Sequence, residues 1–212
     1  SPAYKLDVTG SGRFGAGSGN PVVYVNGGSS SGNGGYAQFQ KAGANNFYVG
    51  HVSGVVGGTS NDGLLYSGAS NGLQIYTNNA LAATLDSSGN LGLGVTPSAW
   101  YSTSRAMQLG SGAAIEGRSG IGNYLSLTAN SFINTSGNSI YLATDYATRY
   151  LQISGQHQWF TAPSGTINTA ITFTQAMTLD ASGRLLVGTT SASGSNLLQV
   201  NSDASINGLT VG

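Results

Sequence analysis

The sequence predicts an all-β chain built as two small β-modules joined by Gly-rich β connectors. Three observations carry that prediction. Helix signals are nearly absent, because Glu116 is the only glutamate and no window holds a sustained apolar stripe at helical spacing. Short runs rich in β-branched and aromatic residues recur along the chain. Turn chemistry separates the runs, and 34 of the 212 residues are glycine, against an ordinary usage of about 7%.

Taken in order, the strand runs are Tyr4–Val8, Val22–Val25, Asn46–Val49, Leu73–Tyr76, Tyr124–Leu127, Ser139–Leu142, Ile171–Thr174 and Leu197–Val200. Between them lie Asn26-Gly27, Asp62-Gly63, Asn71-Gly72, Ser88-Gly89-Asn90, Ser136-Gly137-Asn138 and Ser182-Gly183-Arg184, all residues that favour turns. One short helical turn is expected over 96–101, with Thr96 as cap and Pro97 at the first position.

Composition excludes several classes. Seven cations balance seven acids and only 7% of residues are charged, so few counterions could be released from a phosphate backbone and nucleic-acid binding is not expected. No basic amphipathic segment or long apolar run favours a membrane. A coiled coil needs charged flanking positions and few glycines. Disorder conflicts with 39% hydrophobic and 9% aromatic residues at zero net charge. Collagen needs a strict three-residue glycine period and more than four prolines. With no cysteine, disulfides, thiolate metal sites and cysteine nucleophiles are all excluded. So few charges also point to surface buried against copies of the same chain.

An internal repeat sets the organisation. Residues 84–97 read TLDSSGNLGLGVTP and residues 178–191 read TLDASGRLLVGTTS, with eight of fourteen positions identical at an offset of 94. That offset is too long for a solenoid rung, so each copy reads as a hairpin closing a larger module. A weaker echo links YKLDVTGSGRF at 4–14 with NLLQVNSDASI at 196–206. The resulting division is a Gly-rich connector over 1–35, module one over 36–96, a connector over 97–118, module two over 119–190 and a connector over 191–212. A strand pattern that runs through Ala204 to Gly212 predicts a chain that continues further.

Several phrases resemble those of bacteriophage tail fibres and related tail appendages: TLDSSGNLGLGVTPSAW at 84–100, YKLDVTGSGRF at 4–14, and SGQHQWFTAPSGTINTAITFTQAMTLDASGRLLVGTT at 154–190. Together these phrases span 65 of the 212 residues, and residues 15–75 match less clearly. The resemblance implies an elongated, intertwined homotrimer that belongs to the virion tail and is assembled in the host bacterial cytoplasm. Such fibres often carry a C-terminal intramolecular chaperone. It further implies other tail proteins and a host cell-surface receptor, a saccharide, as partners.

Candidate chemistry is sparse. Gly10, Gly12 and Gly15 spell a dinucleotide fingerprint, but the residues that follow cannot open the helix that would hold a pyrophosphate. Tailspikes degrade polysaccharide, and a glycosidase needs two carboxylates about 5–10 Å apart. Asp86 and Asp180 belong to the repeated turn and Asp7 to a connector, which leaves Asp62, Glu116 and Asp145 with no paired acid in any motif. His51 and His157 lack metal-ligand spacing, and no nucleophile elbow is present. Neither an enzyme, a metal nor a cofactor is therefore expected. Asn134-Thr135-Ser136 spells a glycosylation sequon and Ile115-Glu116-Gly117-Arg118 a protease site, both read as coincidence.

Aromatic residues supply the remaining lead, since sugar rings stack on aromatic faces. Tyr146, Arg149, Tyr150, His157 and Trp159 are the candidate ligand-binding residues, with Arg149 a donor fork for an acidic sugar. The bland reading is that most of these rings fill small β-cores. The functional expectation is a structural fibre segment contributing to host-surface attachment. A polysaccharide-degrading tailspike segment and a secreted bacterial adhesin stay open beside it.

Overall fold

The computed structural model describes residues 36–41, 44–51, 62–67 and 72–201. The expectations placed on residues 1–35 and 202–212 lie outside them. Every described element is a strand, so the chain is all-β, as its composition predicts. It forms two compact units, Ser1–Ala69 and Ser70–Gly212.

In the first unit, β1 (Tyr36–Lys41), β2 (Ala44–His51) and β3 (Gly63–Ser67) make an antiparallel meander. Tyr48 and Tyr66 are cross-strand partners with ring centroids 5.6 Å apart, and Gln38 Nε2 donates to the Tyr48 hydroxyl at 3.1 Å.

The second unit contains β4 (Leu73–Thr77), β5 (Ala80–Leu85), β6 (Leu91–Leu93), β7 (Ser104–Leu109), β8 (Ala113–Arg118), β9 (Leu125–Ala129), β10 (Ser131–Ile133), β11 (Ser139–Tyr141), β12 (Asp145–Ile153), β13 (Gln156–Gly165), β14 (Thr174–Leu179), β15 (Leu185–Val187) and β16 (Leu198–Val200). Eleven of these form one open sheet in chain order, while β10 and β11 leave it as a separate hairpin. The sheet therefore runs without a break through 96/97 and 118/119, where the sequence reading drew boundaries, and the compact units divide between Ala69 and Ser70. Two neighbour pairs are parallel, β6 with β7 and β15 with β16, and each requires a crossover.

Those two crossovers expose a repeat larger than its sequence trace. Asp86 N donates to Asn90 O at 2.9 Å and Gly89 N to Asp86 O at 3.0 Å; Asp180, Arg184 and Gly183 repeat both bonds at the same distances. Gly89 and Gly183 take φ of 81° and 78°, a left-handed conformation that suits glycine. Past the turn, Gly94 N donates to Ala82 O and Gly188 N to Ala176 O, both at 2.9 Å. Gln108 Oε1 accepts Ser98 N at 2.9 Å, and Gln199 Oε1 accepts Ser193 N at 2.7 Å, so the same glutamine latches each crossover. Before the turn, β5 and β14 carry equivalent bulges, with Ala82 and Ala176 the extra residues opposite Ile75/Tyr76 and Trp159/Phe160. Asn134-Thr135-Ser136-Gly137-Asn138 is a third copy of the turn, its Asn134 Oδ1 accepting Ser136 N and Asn138 N at 3.0 Å each.

The Asp180 copy carries a pH signature. Its Oδ1 accepts Arg184 N at 3.0 Å and Ser182 N at 2.9 Å, and its Oδ2 accepts Arg184 Nε at 2.7 Å. Foremost the Arg184 backbone N–H, then its side chain and the Ser182 N–H, hold the carboxyl below its ordinary value against the cost of burial. A group depressed by folding adds stability above its unfolded value, near pH 4, and loses it as pH falls through the folded one. The melting-temperature difference between the natural chain and Asp180→Asn should therefore shrink as pH falls from neutral to below 4. A constant difference would show that this turn does not depend on the charge.

One face of the large sheet is covered. Trp100 lies on Ala106, Ala114 and Phe132, and Tyr141, Ala147 and Ala162 form a second cluster with Ile171 and Phe173. Two expectations change here. Residues 96–99 form no helical turn, because Ser98 N is committed to Gln108 and Trp100 is drawn into a bridge with Asn134. Ile171–Phe173 is loop rather than strand, and its apolar side chains cover the core from outside the sheet, leaving β14 to begin at Thr174.

The opposite face is apolar, and among the described residues of this unit nothing is packed over it. Leu73, Leu85, Leu91, Met107, Ile115, Leu127, Tyr150, Trp159, Met177, Val187 and Val200 are successive cross-strand partners, one from each of the eleven strands. Leu93 and Leu109 flank the ladder at one end, Leu185 and Leu198 at the other. Ile115 and Leu127 are 39% and 40% exposed, which their neighbours on the covered face, Ala114 and Ser126, are not. At its centre the face is concave, a trough of about 520 Å³ lined by Leu109, Ile115, Leu127, Ala129, Tyr150 and Trp159.

Candidate functional site

Side chains alternate across a strand, so consecutive candidate residues on β12 and β13 are sent to opposite faces. Tyr150, His157 and Trp159 share the bare face. Tyr150 and Trp159 are directly opposed, with ring centroids 5.1 Å apart, and the His157 ring lies 6.5 Å from Trp159, stacked at 23°. The Tyr150 hydroxyl is hydrogen-bonded to His157 Nδ1. Beside the trio opens a mixed polar pocket of about 240 Å³ lined by Asn123, Tyr124, Leu125, Gln152, Gln156 and His157. The structure thus brings three of the five candidates together.

The other two stand apart from it. Tyr146 is 69% exposed at the start of β12, where the register shifts, with its N–H donating to Asp145 Oδ1 at 2.7 Å. Arg149 points to the covered face, its guanidinium carbon 4.4 Å from the Phe160 centroid and 5.0 Å from that of Phe173. Burial depresses its pKa, opposed by the nearby Tyr124 and Glu116 and reinforced by Arg118. Its Nε is buried without a hydrogen-bond partner. The expected grouping of Tyr146, Arg149 and Tyr150 on one surface therefore does not form, because neighbours on a strand diverge.

Next to Arg149 on the covered face is a polar network that the sequence reading passed over. Glu116 is 1% exposed, and its Oε1 accepts Ser104 Oγ at 2.5 Å and Arg118 Nε at 2.8 Å. Its Oε2 accepts the Tyr124 hydroxyl at 3.4 Å. The Arg118 guanidinium also lies over the Tyr124 ring at 4.8 Å. Burial, and then the Glu116 carboxylate, raise the Tyr124 phenol above its ordinary value. The signal was present in β8, where Ala114, Glu116 and Arg118 alternate with Ala113, Ile115 and Gly117.

The remaining acids are dispersed in role. Asp86 and Asp180 close turns, Asp62 is exposed, and Asp145 binds a backbone amide. Among the described residues no group of three or more His, Asp or Glu is placed to hold a metal ion. What the arrangement offers chemically is an aromatic trio on an apolar face and a clamped guanidinium on the other. No protein-family model and no curated protein matches the chain.

Proposed function

We propose that this chain is a structural segment of a phage tail fibre, a homotrimer that contributes to host-surface attachment by engaging a saccharide receptor. The bare apolar ladder is the observation that carries the reading. Eleven strands at about 4.8 Å spacing make a band roughly 50 Å long, and two residue rows give it about 700 Å². That is larger than most patches left open on a monomer and close to the ~800 Å² per partner of a stable interface. The eleven ladder residues are uncharged, and one row away Arg105 shares the face with Met107. Low overall charge and the tail-fibre phrases at 84–100 and 154–190 point the same way. A trimer would also present three receptor contacts at once, gaining from avidity.

Light scattering on the purified chain tests the reading. The expected mass is about 64 kDa, three times 21.4 kDa, at concentrations far below those of a crystal. A folded chain of 21.4 kDa, or a dimer, would overturn it.

A further inference from the structure

We propose that Arg149 is the receptor contact, and that it receives the carboxylate of an acidic sugar. This deepens the attachment reading and rests on it. With the apolar ladder turned inward against other copies, Tyr150 and Trp159 are consumed by the seam, and the covered face is the one turned to the medium. Arg149 is on that face and remains partly exposed.

Three features make it a receptor for an anion rather than a packing residue alone. Phe160 and Phe173 hold the guanidinium at 4.4 and 5.0 Å, which fixes its plane before any ligand arrives. Its buried Nε has no acceptor, and among the described residues no carboxylate is within ion-pair distance of it. Glu116, the acid nearest in charge, is already committed to Arg118, Ser104 and Tyr124. One acid and two guanidinia leave a local positive charge in excess in a chain whose formal net charge is zero. A carboxylate matches the free fork of a guanidinium with two parallel hydrogen bonds. The two terminal nitrogens, not the buried Nε, are the ones a carboxylate can reach, and a neutral sugar would leave their charge unanswered.

The probes are sodium glucuronate and its uncharged methyl ester, titrated against the natural chain and against Arg149→Gln. Binding is read by calorimetry and by the NMR signal of the Arg149 Nε–H. Glucuronate should bind with a dissociation constant on the order of millimolar per site. The ester should bind at least tenfold more weakly, and the Nε–H signal should move with the acid only. Arg149→Gln should lose binding at least tenfold while keeping the mass and circular dichroism of the natural chain. Equal binding of acid and ester, or unchanged binding by the variant, would overturn the proposal. So would a variant that loses mass while glucuronate leaves the natural chain's Nε–H unmoved, which would assign Arg149 to a carboxylate of another copy. If the variant fails to fold, the acid-versus-ester comparison on the natural chain decides alone. A trimer that adsorbs to host cells but ignores glucuronate sinks only the acidic sugar. A monomer sinks the fibre reading, and the titration is still read within one chain.

Discussion

Glu116→Ala is expected to destabilise the fold by about 3–5 kcal/mol, the usual cost of stranding one half of a buried ion pair. The carboxylate is 1% exposed and answers three donors at once: Ser104 Oγ, Arg118 Nε and the Tyr124 hydroxyl. Alanine removes every acceptor and leaves the Arg118 guanidinium and the Ser104 hydroxyl facing a small void. It also removes a carboxylate whose field, after that of Tyr124, opposes the burial of Arg149. Glu116→Gln keeps the shape and one acceptor oxygen, and should cost about half as much. The contrast that isolates the mechanism is Glu116→Leu combined with Arg118→Met. Removing both charges leaves neither stranded, so the double variant should recover most of the loss. Urea unfolding at fixed protein concentration measures all three, with the midpoint moving and the slope unchanged. A loss under about 1 kcal/mol for Glu116→Ala would mean that water reaches Arg118 freely and the network is not a pillar of the sheet.

How much of this was legible beforehand differs by level. Strand identity was readable wherever apolar residues alternate, as in Leu73–Tyr76, which falls within β4. Turn chemistry was readable because Asp, Ser and Gly have few other ways to sit together, and the Asp86 and Asp180 turns are alike atom for atom in their backbone bonds. Ile171–Phe173 was misread because β-branched and aromatic residues serve equally well as strand and as a loop that plugs a core. Only the buried partners Tyr141, Ala147 and Ala162 decide between the two, and these are distant in sequence.

The repeat itself was half visible. The turn-and-strand half survives in sequence because Gly89, Gly183 and their aspartates are fixed by backbone geometry. In the strand before it, β4 and β13 share only Gln74 with Gln158 and Thr77 with Thr161 over five equivalent positions. The offset there is 84 rather than 94, because the second copy places a longer loop, including Ile171 and Phe173, between its two strands. Packing tolerates exchange among Leu73, His157, Ile75 and Trp159 provided each covers the same face, so identity was lost while register was kept. For the candidate site, the alternation of β12 alone could have separated Arg149 from Tyr150. The eleven-strand ladder could not be read, since it exists only once every cross-strand register is known.

That ladder yields the second large effect. Leu127→Asp should leave each chain folded and lower the solution mass from the ~64 kDa of the proposed trimer to 21.4 kDa. Leu127 stands at the middle of the ladder between Ile115 and Tyr150 and is 40% exposed in the single chain, so the fold of one chain draws little from its side chain. An aspartate there costs the isolated strand at most about 1 kcal/mol in β preference. In the proposed assembly the same substitution places one carboxylate from every copy in the seam, at several kcal/mol for each, with Arg105 on the same face one row away and two strands from Leu127. The two costs are unequal enough to separate association from folding. Ile167→Asp is the control, since Ile167 is 47% exposed on a turn outside the eleven strands and should leave the mass unchanged. If Leu127→Asp remains trimeric, the copies meet elsewhere, and the bare face must be covered by some other partner. If both variants dissociate, the assembly is weak throughout and does not rest on the ladder. Only loss with Leu127→Asp and retention with Ile167→Asp ties self-association to the one face on which every strand of the sheet contributes an apolar residue.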